Sequence, residues 1–149
     1  ARADIIRWTM QQDGRRVEFR YHGDGPAQAL PQYRIAALPE GYTETERAAS
    51  YAAGDVKYTN ADGDMILLSY LYMSDGVVSG FELDNGDTMT DTQVNGIPAT
   101  LIVSSMEGNF SSVTWRDTAS NIEFTVAAVA DESVIIAMAE SVSLCNSTN

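Results

Sequence analysis

The chain has 149 residues, 44% of them hydrophobic, which is the size and composition of one domain with a substantial core. Its formal charge of -12 and pI near 4.2 exclude a nucleic-acid-binding surface, because a phosphate backbone rewards clustered Lys and Arg. No run approaches the roughly 20 apolar residues of a membrane span, and a lone cysteine, Cys145, excludes an internal disulfide framework while leaving the redox compartment open.

The charge is uneven. Residues 1 to 47 hold seven Arg against seven acids, whereas the remainder has only Lys57 and Arg116 against fourteen acids. The chain opens in what reads as mid-strand, so the expectation is a piece of a longer protein whose anchor precedes residue 1. A two-residue turn at Asp13-Gly14 would set Met10 across from Val17, Trp8 from Phe19 and Ile6 from Tyr21, with every large apolar side chain on one face. The other face then carries Arg7, Arg16, Glu18, Arg20 and His22, with Arg7 directly across from Arg20. Like charges so placed repel, so this face must be solvated or must meet something acidic.

After the connection Gly25 to Pro31, an extended piece Tyr33 to Leu38 leads into Leu38-Pro39-Glu40-Gly41-Tyr42, read as a tight turn with Pro39 second. Val56 to Asn60 pairs with Met65 to Met73 through Asp62-Gly63. The second of these strands is apolar at both parities, which predicts a central strand covered on both faces. Ser74 to Asp91 reads as loop with a short extended piece at Val77 to Leu83. Asn95-Gly96 joins Thr92 to Val94 with Ile97 to Ser104, where Pro98 requires an edge or an outward-pointing position. Phe110 to Arg116 and Ile122 to Val129 make the last hairpin, with Ile122, Phe124 and Val126 on one face and Glu123 and Thr125 on the other.

Asp131 is placed to cap a closing helix. Its stripe would be Val134, Ile135, Met138, Ala139, Val142 and Cys145, with Cys145 a small buried hydrophobe and Asn146 to Asn149 a frayed tail. The predicted fold is therefore α+β: a twisted, mainly antiparallel sheet built from hairpins, with one C-terminal helix packed on one face to seal a single buried layer.

Chemistry-bearing residues are sparse. Asn60, Asp62 and Asp64 place oxygens at alternate positions around a Gly, as in the first half of a calcium loop, but Tyr70, Leu71 and Tyr72 stand where its closing Glu would fall. The segment reads as a hairpin turn first and a metal site second. Asp84, Asp87 and Asp91 read as solvated loop acids. His22 is the only candidate base and falls on the Arg-bearing face, so no nucleophile, base and orienter assemble and neither a catalytic role nor a cofactor is expected. Arg7, Arg16 and Arg20, with Arg15 nearby, would face either an anionic membrane surface or a partner, or would neutralise the acids of the same domain.

Leu38-Pro39-Glu40-Gly41-Tyr42, Tyr58-Thr59-Asn60-Ala61-Asp62-Gly63, Val94-Asn95-Gly96-Ile97-Pro98-Ala99, Trp115-Arg116-Asp117 and Ala139-Glu140-Ser141-Val142 follow one another in an order and spacing that matter more than any one of them. The set resembles a bacterial domain-of-unknown-function family that forms the C-terminal extracytoplasmic part of membrane-anchored, anti-sigma-factor-like proteins, mostly in Firmicutes. The resemblance covers residues 38 to 144. It implies one extracytoplasmic domain over residues 1 to 149, with 1 to 37 a membrane-proximal hairpin region and 145 to 149 a tail. It further implies sensing or binding of an unknown extracellular ligand or envelope protein; an envelope-structural or interaction role is the alternative, and an enzyme acting on an envelope polymer ranks last. No catalytic residue is implied.

Overall fold

The computed structural model of the chain describes residues 7–13, 16–22 and 28–145, the first of these through its backbone alone. Strands β1 (Arg7–Asp13) and β2 (Arg16–His22) pair first, and the short β3 (Tyr33–Ile35) follows. Next come β4 (Thr43–Ala49), β5 (Ala53–Thr59) and β6 (Met65–Tyr72), a meander. The strand β7 (Val78–Glu82) leaves that meander to pair with β2. A second meander runs through β8 (Thr88–Val94), β9 (Ile97–Val103), β10 (Ser111–Asp117) and β11 (Ile122–Ala128). Helix α1 (Glu132–Glu140) and β12 (Val142–Leu144) close the described chain.

The two meanders zip together through β6 and β11 into one seven-stranded antiparallel sheet, ordered β4-β5-β6-β11-β10-β9-β8. A three-stranded sheet β1-β2-β7 and a two-stranded sheet β12-β3 complete the fold. The α+β architecture expected from the hairpin and helix signals is the one observed.

Strand alternation sends Ile66, Leu68, Tyr70 and Tyr72 of β6, and Ile122, Phe124 and Val126 of β11, to the face covered by α1, and all are buried. Trp115 stacks on Phe124 with ring centroids 5.1 Å apart, and Tyr33 meets Phe124 edge-on at 4.9 Å. Tyrosine hydroxyls then hold β3 over this face. Tyr58 Oη accepts the Ile35 amide at 2.9 Å, Tyr70 Oη accepts the Tyr33 amide at 3.2 Å, and an Arg47 Nη donates to the Tyr33 carbonyl at 3.0 Å. Large aromatics thus fill the core while their polar ends satisfy the backbone of a strand too short to satisfy itself.

Several expectations are corrected. Asp13 pairs with Arg16, so Trp8 lies across from Tyr21, Met10 from Phe19, and Arg7 from His22 rather than Arg20. The slip is two residues, one strand period, so the apolar pattern alone does not distinguish the two registers; Val17, Phe19 and Tyr21 are all buried as expected. Ile6, the Gly14-Arg15 connection, the side chains of Arg7, Trp8 and Met10, residues 23–27 of the next connection and the tail 146–149 lie outside the described residues.

Pro39 is first in its turn, not second: the Tyr42 amide reaches the Pro39 carbonyl at 3.3 Å, and Gly41 takes the third position with φ +90°, which only glycine adopts cheaply. The strand Tyr33 to Leu38 stops at Ile35. Within Ser74 to Asp91 the expected extended piece is β7, Val78–Glu82, which finds β2, whereas Thr88 to Asp91, read as loop, belongs to β8. The turn at Asn95-Gly96 is a two-residue hairpin with both φ positive, as expected. Pro98 is in an internal strand, but β10 pairs with β9 only as far as Ala99, so the missing donor falls past the end of that ladder. β6 is internal, yet Leu67 and Leu71 on its second face are only half-buried and Met65 is exposed.

The helix is shorter than its stripe. Asp131 stands at its start in extended conformation and accepts the Val134 and Ile135 amides through its carbonyl, though its side chain makes no cap bond. Ile135, Met138 and Ala139 are buried, while Val134 is exposed. Ser141 ends the helix with Oγ donating to the Met138 carbonyl at 2.8 Å and accepting the Ala37 amide at 3.0 Å. Val142 then enters β12 opposite Ile35, and Cys145 follows it half-buried. Finally, the core is two clusters, not one layer: a second, around Val17, Phe19, Tyr21 and Met73, lies between the three-stranded sheet and the other face of the large one.

Two predictions follow from this packing. Gly54 lies across from Tyr70, and a Cβ there would come within 2.5 Å of the buried Tyr70 ring. Gly54→Ala is therefore expected to lower stability in urea unfolding by about 1–3 kcal/mol. Burial, foremost, also holds Tyr21, Tyr33, Tyr42, Tyr58 and Tyr72 above the ordinary tyrosine pKa. The unfolded chain sheds these protons first, so their contribution is intact below about pH 10 and stability falls as pH rises beyond it. The larger part of the phenolate absorbance, from these five, should lag a free tyrosine and then rise together with loss of near-UV circular dichroism; that larger part appearing in a still-folded chain would contradict this.

Candidate functional site

In the β10–β11 hairpin Arg116 lies directly across from Glu123, on the face opposite α1. Alternation alone would leave this pair in solvent. Instead β2 and β7 lie over it, and the residues are 8% and 4% exposed. An Arg116 Nη donates to Glu123 Oε2 at 3.1 Å, and Arg116 Nε donates to Tyr21 Oη at 2.7 Å. Tyr21 Oη donates in turn to Glu123 Oε2, and Ser79 Oγ of β7 donates to Oε1 at 2.8 Å. The Arg116 guanidinium carbon sits 3.5 Å above the centre of the Phe19 ring. Among the described residues no buried side-chain nitrogen or oxygen lacks a partner.

This node, together with the second apolar cluster, joins the three-stranded sheet to the seven-stranded one. Each strand supplies the member its alternation dictates: Phe19 and Tyr21 from β2, Ser79 from β7, Arg116 and Glu123 from β10 and β11. Burying two charges costs several kcal/mol per ion, so the pair is tolerable only when its remaining hydrogen bonds are also met. Burial of the Tyr21 phenol, followed by the Glu123 charge, pushes its pKa up and keeps it a donor. The sequence placed Glu123 on the outer face and left Arg116 as a stray charge; the usable signal was one of only two cations after residue 47 falling across a tight hairpin from an acid.

The Arg-bearing face of the first hairpin meets acids of its own sheet. Arg16 Nε donates to Glu18 at 2.7 Å and an Nη to Glu82 at 3.4 Å, while Arg20 reaches Glu18 at 3.4 Å. Arg16 holds the Glu18 carboxyl below its usual pKa through the hydrogen bond first and its charge second. His22 is exposed, its Nδ1 4.0 Å from Asp75. Arg16 and Arg20 are thus paired with acids of their own sheet while more than half exposed, and the Arg7 side chain and Arg15 lie outside the described residues. The structure does not bring Arg16 or Arg20 to the node.

At the calcium-like turn, Asn60 Oδ1 accepts the amides of Asp62 and Asp64 at 3.0 and 2.9 Å, and its amide nitrogen donates to Asp64 Oδ2 at 3.1 Å. Two of the three would-be ligands are thus engaged in bracing the loop, and Gly63 takes φ +85° at its bend. Asp87 is likewise a brace: Oδ2 accepts the Asp84 amide at 2.9 Å and Oδ1 accepts the Ser105 amide at 2.9 Å. It ties the β7–β8 turn to the β9–β10 loop.

Residues 32–142 match a family model described as Domain of unknown function (DUF4367). The matched segment contains Ser79, Arg116 and Glu123 but stops short of Phe19 and Tyr21. No curated protein and no solved structure is significantly similar to the chain.

Cutting one partner from a buried pair strands the other. Arg116→Met or Glu123→Leu alone is expected to cost about 3–5 kcal/mol in denaturant unfolding, and Tyr21→Phe about 1–3 kcal/mol. The double change Arg116→Met with Glu123→Leu should cost clearly less than the sum of the two. Additive losses would mean that the charges do not act as a pair.

Proposed function

The chain belongs to the DUF4367 family of domains of unknown function, and on that premise we propose that it is a non-catalytic extracytoplasmic sensing or binding domain of a membrane-anchored, anti-sigma-like regulatory protein. The setting rests on the ordered motifs from Leu38 to Val142. The observation that carries the sensing role is the docking of residues 16–22 onto the family-matched body through the Tyr21, Arg116, Glu123 and Ser79 node.

A node of this kind suits a two-state element. Closed, every partner is satisfied; half-open, Arg116 and Glu123 keep each other but lose the Tyr21 and Ser79 hydrogen bonds before water can replace them, so intermediate positions are penalised and the sheet tends to be either seated or released. The hairpin it seats is the part nearest in sequence to the expected anchor, so release or seating would be felt there. A ligand shifts such an equilibrium only by binding one state better than the other. Consumption of the buried pair in docking, and the exposed position of His22, support binding over catalysis.

The test places the chain in its parent protein. Protease added to intact cells should digest it, and a transcription reporter for the associated sigma factor should change with Glu123→Gln while the protein level holds. Protection until lysis would overturn the location. An unchanged reporter, with hydrogen exchange showing that Glu123→Gln has loosened β2, would overturn the sensing role.

A further inference from the structure

Strands β10 and β11 carry the node near their shared turn, and their other ends lie five residues from it, about 17 Å along a strand. At that far end the surface changes character. Eight large hydrophobics are exposed among the described residues, and four of them gather here: Met106 at 58%, Val129 at 51%, Phe110 at 40% and Met65 at 37%. They come from three separate places, the start of β6, the β9–β10 loop and the β11–α1 junction. Tyr42 joins them from the β3–β4 turn. A hollow of about 200 Å³ is lined by Tyr42, Met65, Phe110 and Val129 together with Asp64. It adjoins, through Val129, a wider cleft of about 730 Å³ between the β9–β10 loop and the start of α1, floored by Val103 and Met106.

Exposed apolar side chains brought together from several loops, with a polar rim, mark an interaction surface more often than chance solvation does. The rim settles the sign of what fits. Glu107, Asp131 and Glu132 line the cleft and Asp64 the hollow, and neither is lined by a Lys or Arg. The helix N-terminus supplies only about half a positive charge against Asp131 and Glu132, which leaves the rim negative. A second copy of this chain, itself at -12, would be repelled, as would an anionic lipid surface. Met65 in the hollow and Met106 in the cleft can re-pack around side chains of different shape.

We propose that this loop end is a docking surface for a cationic, apolar peptide segment of another polypeptide, one that presents Lys or Arg beside aromatic or aliphatic side chains. The apolar groups enter between Phe110, Met65 and Val129 or over Met106, and the cations meet Glu107, Asp131 and Glu132. The inference is independent of the transcriptional role, since it concerns what binds and not what the binding reports.

The test uses three labelled twelve-residue peptides and fluorescence anisotropy: one of Lys and Leu with a central Trp, one with Glu in place of Lys, and one with Ser in place of Leu and Trp. The Lys/Leu/Trp peptide should bind, and the other two should bind at least roughly tenfold more weakly. Met106→Ser and Phe110→Ser, both at exposed positions, should weaken it by roughly tenfold or more through lost apolar burial. Glu107→Gln with Glu132→Gln should weaken it by a few-fold and flatten its salt dependence. Equal binding of the Lys/Ser peptide, or indifference to Met106→Ser and Phe110→Ser in a chain with an unchanged melting temperature, would reduce the effect to general acidity and overturn the proposal. So would binding of the Glu peptide, or a dimer in gel filtration that Phe110→Ser dissociates.

Discussion

A charge pair set across two neighbouring strands, Arg116 and Glu123, lies beneath a second sheet only because that sheet brings the groups that complete it. Tyr21 bridges the two charges, Ser79 takes the remaining carboxylate oxygen and Phe19 covers the guanidinium plane. Remove any of these and the desolvation of an ion stands uncompensated. The arrangement explains why the three-stranded sheet sits where it does: apolar contacts among Val17, Phe19, Phe81 and Met73 favour burial somewhere on the outer face, whereas the ion pair admits one position. Hydrophobic burial supplies the drive, and the buried polar groups supply the address.

The same logic accounts for the two faces of the large sheet. A helix of nine residues is about 14 Å long, too short to cover seven strands, so β3 and β12 extend the cover on its side, seated on the hydroxyls of Tyr58 and Tyr70. The edge strand β4 is left open and defended by its composition. It reads Thr-Glu-Thr-Glu-Arg-Ala-Ala, is exposed along nearly its whole length, and shifts register between Glu44 and Glu46. Charge and a bulge on an edge both discourage pairing with another chain.

Turn chemistry was legible at Asn95-Gly96 and misleading at Asp13-Gly14 and Pro39. Asn95-Gly96 demanded positive φ at two consecutive residues, and the hairpin between Ile97 and Val94 follows from it. The alternation of β11 likewise assigned Ile122, Phe124 and Val126 to the core correctly. What stayed hidden were properties set by partners distant in sequence. The first hairpin has two registers that bury the same side chains, so only the turn decides between them. Val142 continues the helical stripe of Ile135 and Met138 perfectly well, and becomes strand because β3, more than a hundred residues earlier, offers an open edge. The node is illegible for a sharper reason. Alternation sends Glu123 outward whether or not anything lies there, and no local pattern says that β2 and β7 will.

The two ends of the molecule are joined by more than the strands they share. A partner touching only the ends of β10 and β11 would meet the same surface whether β2 is seated or not, and so would shift nothing. The β9–β10 loop differs. It carries Met106 and Glu107 at the acidic cleft, while its Ser105 amide donates to Asp87, in the turn that leaves β7. Ser105 also donates to the Asn85 carbonyl, and Gly86 packs so close that a Cβ there would lie 3.0 Å from Ser105 Cβ. Since β7 is the strand that pairs with β2 and supplies Ser79 to the node, these contacts make a continuous path from the loop to the node. For the proposed domain to respond in two states, a peptide would have to meet this loop differently when β2 is released, and the Ser105 contacts to Asp87 and Asn85 are where that difference would be carried.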